Sequence, residues 1–213
     1  HAAVNPIFSF FYSLLKERDF SQQARYFSPD EANQVFASLN YNTKSELTPA
    51  DSLLNTRHPN ILLILMESCG GRVVGCTEGN TKVTPHLDSL AREGVFFSHC
   101  YANSFRTDRG TICTFSGYPS FPDASVMKMP AKSRVLPSIA GALRGVGYDT
   151  EFLYGGDKNF TNMNSYFLAT GYNRVLGDVD FPVSMRKTSP WGVCDHLMFD
   201  QLRQNIDRQP KNK

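Results

Sequence analysis

No run of apolar residues in this chain reaches the roughly 18 to 20 that a membrane-crossing helix needs, and no signal peptide is visible. Basic residues form no long run. Lys and Arg together number 22 against 20 Asp and Glu, a net charge of +2, so a nucleic-acid footprint is not indicated. Cysteine is sparse and scattered, at Cys69, Cys76, Cys100, Cys113 and Cys194. None stands in a CxxC pair, and five cannot all pair within one chain. Most read as small buried apolar residues, while a disulfide would require an oxidising compartment. His-x-His and His-Glu-x-x-His spacings are missing too, so His58, His86, His99 and His196 read as structural or surface residues. There is no internal repeat and no low-complexity segment. The chain opens at His1, an odd first residue, which suggests a piece excised from a longer protein; the missing targeting segment then says nothing of the parent.

What is present is 213 residues, 41% hydrophobic and 20% charged, enough for one globular α/β domain with or without an arm. Residues 5–16 read as a helix, with Asn5 as cap and Pro6 at the first position. Its apolar residues cover much of the circumference, so it is expected to pack against something. A second helix is expected after Ser28, and the polar stretch 40–55 reads as a linker. Residues 60–66 (NILLILM) are continuously apolar, as a strand buried on both faces requires. Residues 84–94 carry a Thr cap, Pro at the first helical position and Gly at the end, with Leu87, Leu90 and Ala91 on one stripe. A second strand is expected from Val95 to about Tyr101. Helices follow over 108–115 and 136–144, then a strand over 148–154 closed by Gly155-Gly156, and a helix over 195–205. Strands alternating with helices predict a mostly parallel sheet covered on both faces.

Ligands of such sheets bind beyond the carboxyl ends of the strands. Glu67 closes the apolar run, where a carboxylate is costly unless it is paired or bound to a cation such as a hard divalent metal. A partly solvated or helix-capping Glu67 fits the position equally. Thr107, in the stretch 103–110 (NSFRTDRG), stands at a helix start. Backbone N–H groups there favour a phosphate oxygen, and Arg106 and Arg109 add guanidinium groups shaped for one. Thr107 is thus a candidate nucleophile, or simply a helix cap. Asp157 after Gly155-Gly156 suits a substrate hydroxyl or a turn. Asn162 and Asn164 suit ligand hydrogen bonding or capping of the next helix.

Taken in order, these segments resemble a known family. Residues 60–68 (NILLILMES) resemble the first metal-ligand strand of the alkaline phosphatase superfamily. Residues 84–97 (TPHLDSLAREGVFF) resemble the sulfatase-type "TPNLDxLAxEGxxF" segment, and Tyr101-Ala102-Asn103 with Arg106-Thr107-Asp108-Arg109-Gly110 resembles the nucleophile loop of lipoteichoic-acid-synthase-like enzymes. Ser116-Gly117-Tyr118-Pro119, residues 152–157 (FLYGGD) and Trp191-Gly192-Val193 continue the pattern over about residues 60–205.

The resemblance implies a three-layer α/β/α sandwich with a mostly parallel sheet, preceded by a helical arm and linker over 1–56, with the N-terminal portion of the catalytic domain over 57–213. It implies Glu67 as a metal ligand and Thr107 as both metal ligand and covalent nucleophile carrying phosphoglycerol. Asp157 would contact the glycerol-phosphate head group, with Arg106 and Asn162 as further substrate contacts. The metal implied is Mn²⁺, with Mg²⁺ or Zn²⁺ as alternatives, lowering the nucleophile's pKa and neutralising phosphoryl charge. The donor implied is a phosphatidylglycerol-type lipid and the acceptor a glycan, glycolipid or polymer, at the outer face of a bacterial cytoplasmic membrane reached through segments outside this chain. The family's Gly-Asp-His metal-ligand motif has no counterpart here, and Asp195-His196 is not assigned to that role. The remaining ligands are expected beyond residue 213, which predicts weak metal binding, little turnover and an unpaired sheet edge for this stretch alone. Phosphoethanolamine transfer, sulfatase activity and a non-catalytic binding role on the same fold are the alternatives. Neither Cys69 nor Cys113 stands in the Cys/Ser-x-Pro-x-Arg setting a sulfatase requires.

Overall fold

Two short polar residues start the first two helices. In a computed structural model, which describes residues 5–15, 26–39, 54, 56–77, 79, 83–122 and 124–208, the Ile7 N–H donates to Asn5 Oδ1 at 2.9 Å and opens α1, Pro6–Leu15. At α2, Pro29–Leu39, the Ser28 N–H and hydroxyl both donate to Glu31 Oε2, at 2.9 and 2.8 Å, and the Glu31 N–H donates back to Ser28 Oγ. This reciprocal box satisfies donors that a helix start otherwise leaves unpaired. The apolar face expected on α1 is open: Ile7, Phe8, Phe10 and Phe11 are all exposed. The linker expected over 40–55 lies, Leu54 apart, outside the described residues.

The chain divides into two units between Ile64 and Leu65. The division cuts the apolar run expected to be the first strand. That expectation fails: Ile61 to Met66 adopt no strand, and their side chains are 44% to 56% exposed. The strand expected from Val95 to Tyr101 is likewise not formed, and Phe96 and Phe97 are exposed. An apolar run becomes a buried strand only where a neighbour pairs its backbone and covers its faces. Among the described residues, strand pairing is confined to β1, Glu151–Leu153, and β2, Arg174–Leu176.

Helices form closer to expectation. α3 is Pro85–Glu93, with Gly94 returning its N–H to Leu90 O at 2.9 Å. Thr84 stands at its cap position without capping it, because the hydroxyl instead accepts the Gly75 N–H at 3.1 Å. Leu87 and Ala91 are half-buried, but Leu90 of the same stripe is exposed. α4, Thr107–Ser116, ends at Gly117, whose φ of 63° is a left-handed value that glycine adopts without strain. α5 is Pro130–Ser133. α6, Ile139–Gly145, begins later than expected because Pro137 disfavours helix at Leu136 and the Ser138 hydroxyl accepts the Gly141 N–H at 2.8 Å. α7 is Met163–Ala169 and α8 is Asp195–Asp207.

β1 and β2 run parallel, with Phe152 opposite Val175, and α7 lies in the crossover between them, as parallel pairing requires. The core sits beneath this β1–α7–β2 unit. Phe152 stacks on the fully buried Phe167, with ring centroids 3.7 Å apart, and Phe115 of α4 meets Phe167 edge-on at 5.3 Å. Tyr172 completes the cluster edge-on to Phe167 at 5.0 Å. Such pairs add about 1 kcal/mol each beyond their area burial. Parallel strands crossed by helices make this an α/β fold.

Candidate functional site

α4 presents its first residue, Thr107, half-buried at the helix start. Arg106, not Thr107, occupies the cap position, and among the described residues the Thr107 hydroxyl has no hydrogen-bond partner. The capping role open to Thr107 from the sequence is therefore not the one it plays. Next to it, Asp108 is 2% exposed. Its carboxylate faces Arg106 Nε at 3.3 Å through Oδ1 and Lys128 Nζ at 3.6 Å through Oδ2. Burial opposes its ionisation, but the nearby Ser125 hydroxyl, Lys128 and Arg106 together outweigh burial and hold the carboxyl below the usual carboxylate range. Among the described residues, Asp108 Oδ2 and Ser125 Oγ are buried without hydrogen-bond partners, as is Arg109 Nε.

Lys128 was not legible as a site residue. It lies in the turn Val126–Lys128, and nothing in its local sequence marks it. Asn162 fixes that turn, its side-chain amide donating to Met127 O at 3.0 Å while the Met127 side chain is fully buried. Asn162 thus supports the turn instead of presenting its amide to solvent, and it holds a left-handed φ of 73° in doing so.

A second cluster gathers at the carboxyl end of β1. Burial raises the Tyr154 phenol, and the negative charges of Glu67 and Asp157 raise it further. The side chain of Glu67 is exposed, in a turn whose next residue, Ser68, has a φ of 57°. A left-handed value at a residue other than glycine is a local strain that functional turns retain. Asp157 is exposed, and its Oδ1 accepts the Asn159 N–H at 2.8 Å, so it does build the turn. The two glycines before it admit no side chain. A Cβ on Gly155 would stand 2.8 Å from Val193 O, and one on Gly156 would stand 2.9 Å from Trp191 O. The Val193 N–H donates to Gly155 O at 2.8 Å, which joins residues 152–157 to Trp191-Gly192-Val193 and leaves the Trp191 indole 85% exposed.

Asp88 is nearly buried and accepts the Cys76 N–H at 2.7 Å, a structural role beneath the turn Gly75–Thr77. His58, His86, His99 and His196 are all exposed. All five cysteines are free, and none is fully buried: Cys69 and Cys100 are exposed, contrary to the expectation of buried apolar residues.

Glu67 and Thr107 are hard oxygen donors of the kind a divalent cation takes. Among the described residues, however, no three of His, Cys, Asp and Glu come together as cation ligands. Two donors do not make a closed shell, and the described residues do not fit a complete metal centre. Among the described residues, no helix is long and apolar enough to cross a membrane.

The sulfatase family profile matches residues 59–213. Among curated proteins, the chain is similar to a lipoteichoic acid synthase-like protein, YvgJ, of Bacillus subtilis. The two are 20% identical over 185 residues, which is 85% of this chain and 30% of that protein. It is also similar to mouse steryl-sulfatase, at 30% identity over 145 residues, 61% of this chain and 23% of that one. The chain thus spans a third or less of these relatives' lengths. Among solved structures, an alkaline phosphatase superfamily protein from Vibrio parahaemolyticus aligns with a TM-score of 0.61 and 31% identity, covering 67% of this chain and 34% of that one. The lipoteichoic acid synthase LtaP from Listeria monocytogenes shares the fold, with a TM-score of 0.55 at 18% identity over 61% of this chain and 31% of its own. Matched by the profile over well more than half of its length and carrying an alkaline-phosphatase-superfamily fold, the chain belongs to the sulfatase family.

Proposed function

We propose that this chain is part of an enzyme that moves phosphoglycerol from a phosphatidylglycerol-type lipid to a glycan, glycolipid or polymer acceptor, or to water, through a covalent intermediate on Thr107. The observation that carries the reading is the residue at the helix start: a threonine whose hydroxyl is unengaged among the described residues, between Arg106 and Arg109. A sulfatase of the formylglycine type needs a primary hydroxyl or thiol there, since only Ser or Cys can become an aldehyde. Threonine cannot, but its hydroxyl can attack phosphorus.

In the first step a bond forms between Thr107 Oγ and phosphorus, and the bond from phosphorus to the diacylglycerol oxygen breaks. Diacylglycerol leaves with the proton that the Thr107 hydroxyl loses. In the second step an acceptor hydroxyl bonds to phosphorus, the bond to Thr107 Oγ breaks, and the acceptor's proton restores the Thr107 hydroxyl. Arg106 holds phosphoryl oxygens, and Asp157 beside Tyr154 accepts a hydrogen bond from a glycerol hydroxyl. Asn162 contributes by fixing the turn that carries Lys128. Among the described residues, Glu67 and Thr107 are the two that would ligate a divalent cation, Mn²⁺ first and Mg²⁺ or Zn²⁺ as alternatives. We place the reaction at the outer face of a bacterial cytoplasmic membrane, where donor lipid and envelope polymers meet. Residues 1–213 alone would turn over little, since the described residues supply only those two donors.

The complete protein, given Mn²⁺ and vesicles carrying head-group-labelled phosphatidylglycerol or phosphatidylethanolamine, tests the reading. Thr107→Ala is expected to lose about a thousandfold or more in rate, and the wild type to carry label on Thr107. Unchanged turnover in Thr107→Ala sinks the nucleophile assignment. Label taken from the ethanolamine lipid in preference moves the enzyme to phosphoethanolamine transfer.

A further inference from the structure

Asp108 and Lys128 are assigned no role by the family resemblance, yet together with Arg106 they form an organised charge cluster at the start of α4. One nearly buried carboxylate faces two cations, at 3.3 and 3.6 Å. Neutralising a buried acid needs only one, so the cluster keeps a surplus positive charge. Both cationic side chains remain half-exposed, at 48% for Arg106 and 50% for Lys128. Arg106 spends Nε on Asp108, and among the described residues its two terminal nitrogens have no partner. Lys128 Nζ lies beyond hydrogen-bond length from Asp108 Oδ2, so its N–H groups stay available to another acceptor. Its turn is held from both sides, by the buried Met127 and by the Asn162 amide on the Met127 carbonyl. Arg109, whose Nε is buried without a partner among the described residues, lines a small cavity with Val126 of the same turn.

We propose that Arg106 and Lys128 form a two-cation oxyanion site beside Thr107, with Asp108 as the positioning residue that holds both in place. The ligand class is a phosphate mono- or diester. The placement beside a reactive hydroxyl rests on the reading of Thr107 given above, whereas the anion binding itself does not. Two cations fixed by one carboxylate are pre-ordered, so little side-chain freedom is lost when the phosphate arrives.

The full chain is titrated with inorganic phosphate, glycerol 1-phosphate and phosphatidylglycerol vesicles at low and high salt, with circular dichroism as a check on folding. Wild type is expected to bind, more weakly as salt rises. Lys128→Met is expected to weaken binding about tenfold or more, and Lys128→Arg to recover most of that loss. Asp108→Asn is expected to weaken binding despite removing a negative charge, the opposite of a simple charge effect. A response to vesicles alone assigns the anion to the lipid head group, and a response to all three assigns it to any phosphate; both support the site. Binding is read here without turnover, so failure of the nucleophile reading, seen as unchanged turnover in Thr107→Ala, would leave this result standing. Binding by Lys128→Met equal to wild type, or no binding by folded wild type, overturns the proposal.

Discussion

Residues 60–105 and residues 107–207 are similarly rich in apolar side chains, but only the second stretch buries them. Phe115, Phe152, Phe167 and Tyr172 lock together ring on ring, while Ile61 to Met66, Phe96, Phe97, Tyr101 and Phe105 stay exposed. The difference is one of partners, not of hydrophobicity. β1 has β2 in register beside it and α7 across it, whereas the run ending at Met66 has no paired neighbour among the described residues. Apolar content therefore marks where a strand is meant to go, and pairing decides whether it gets there.

The strongest way to break this contrast is to remove its keystone. Phe167→Ala should destabilise the chain by about 3 to 5 kcal/mol in a denaturant titration, because the ring is fully buried and meets four other aromatics. A cost below about 1 kcal/mol would show that the packed region is no better consolidated than the exposed one.

Acid should act selectively on the same region. The folded Asp108 carboxyl ionises below its unfolded value, so its contribution is present above the usual carboxylate range and is lost as pH falls through about 4 towards the depressed value. Wild type should therefore lose stability on that acid limb more steeply than Asp108→Asn. Equal slopes would mean that Arg106 and Lys128 stabilise nothing through it.

The smallest effect is expected in the exposed run. Leu63→Ser should change stability by no more than about 0.5 kcal/mol, since the side chain is 48% exposed. A cost comparable to that of Phe167→Ala would show that this run is buried in solution and would erase the contrast.

The starts at Asn5 and Ser28 were the most legible features, because both side chains bond to backbone a few residues away, and Pro85 marks a third start by lacking an N–H, whereas the start at Ser138 was expected too early. Strands were less so. Residues 148–154 shrank to Glu151–Leu153, and β2 went unseen because Arg174–Leu176 is three residues of unremarkable composition, made a strand only by β1. Of the candidate site, Thr107, Arg106, Glu67 and Asp157 stood out in the sequence by following expected elements or glycines. Lys128 did not, because its meaning lies in a carboxylate twenty residues earlier. Asn162 was legible as a polar group near the site, but only coordinates show its amide committed to Met127.

The seam between Gly155 and Val193 has a consequence for synthesis. The carbonyl that finishes the turn after β1 waits for an N–H made much later in the chain, and Gly192, with φ at 131°, leaves no room for a side chain as the two backbones meet. On the ribosome, the turn that follows β1 cannot be braced until residue 193 has left the exit tunnel. A nascent chain arrested before that point holds Thr107 on its finished helix while the loop that bears Asp157 is still missing its closing strut.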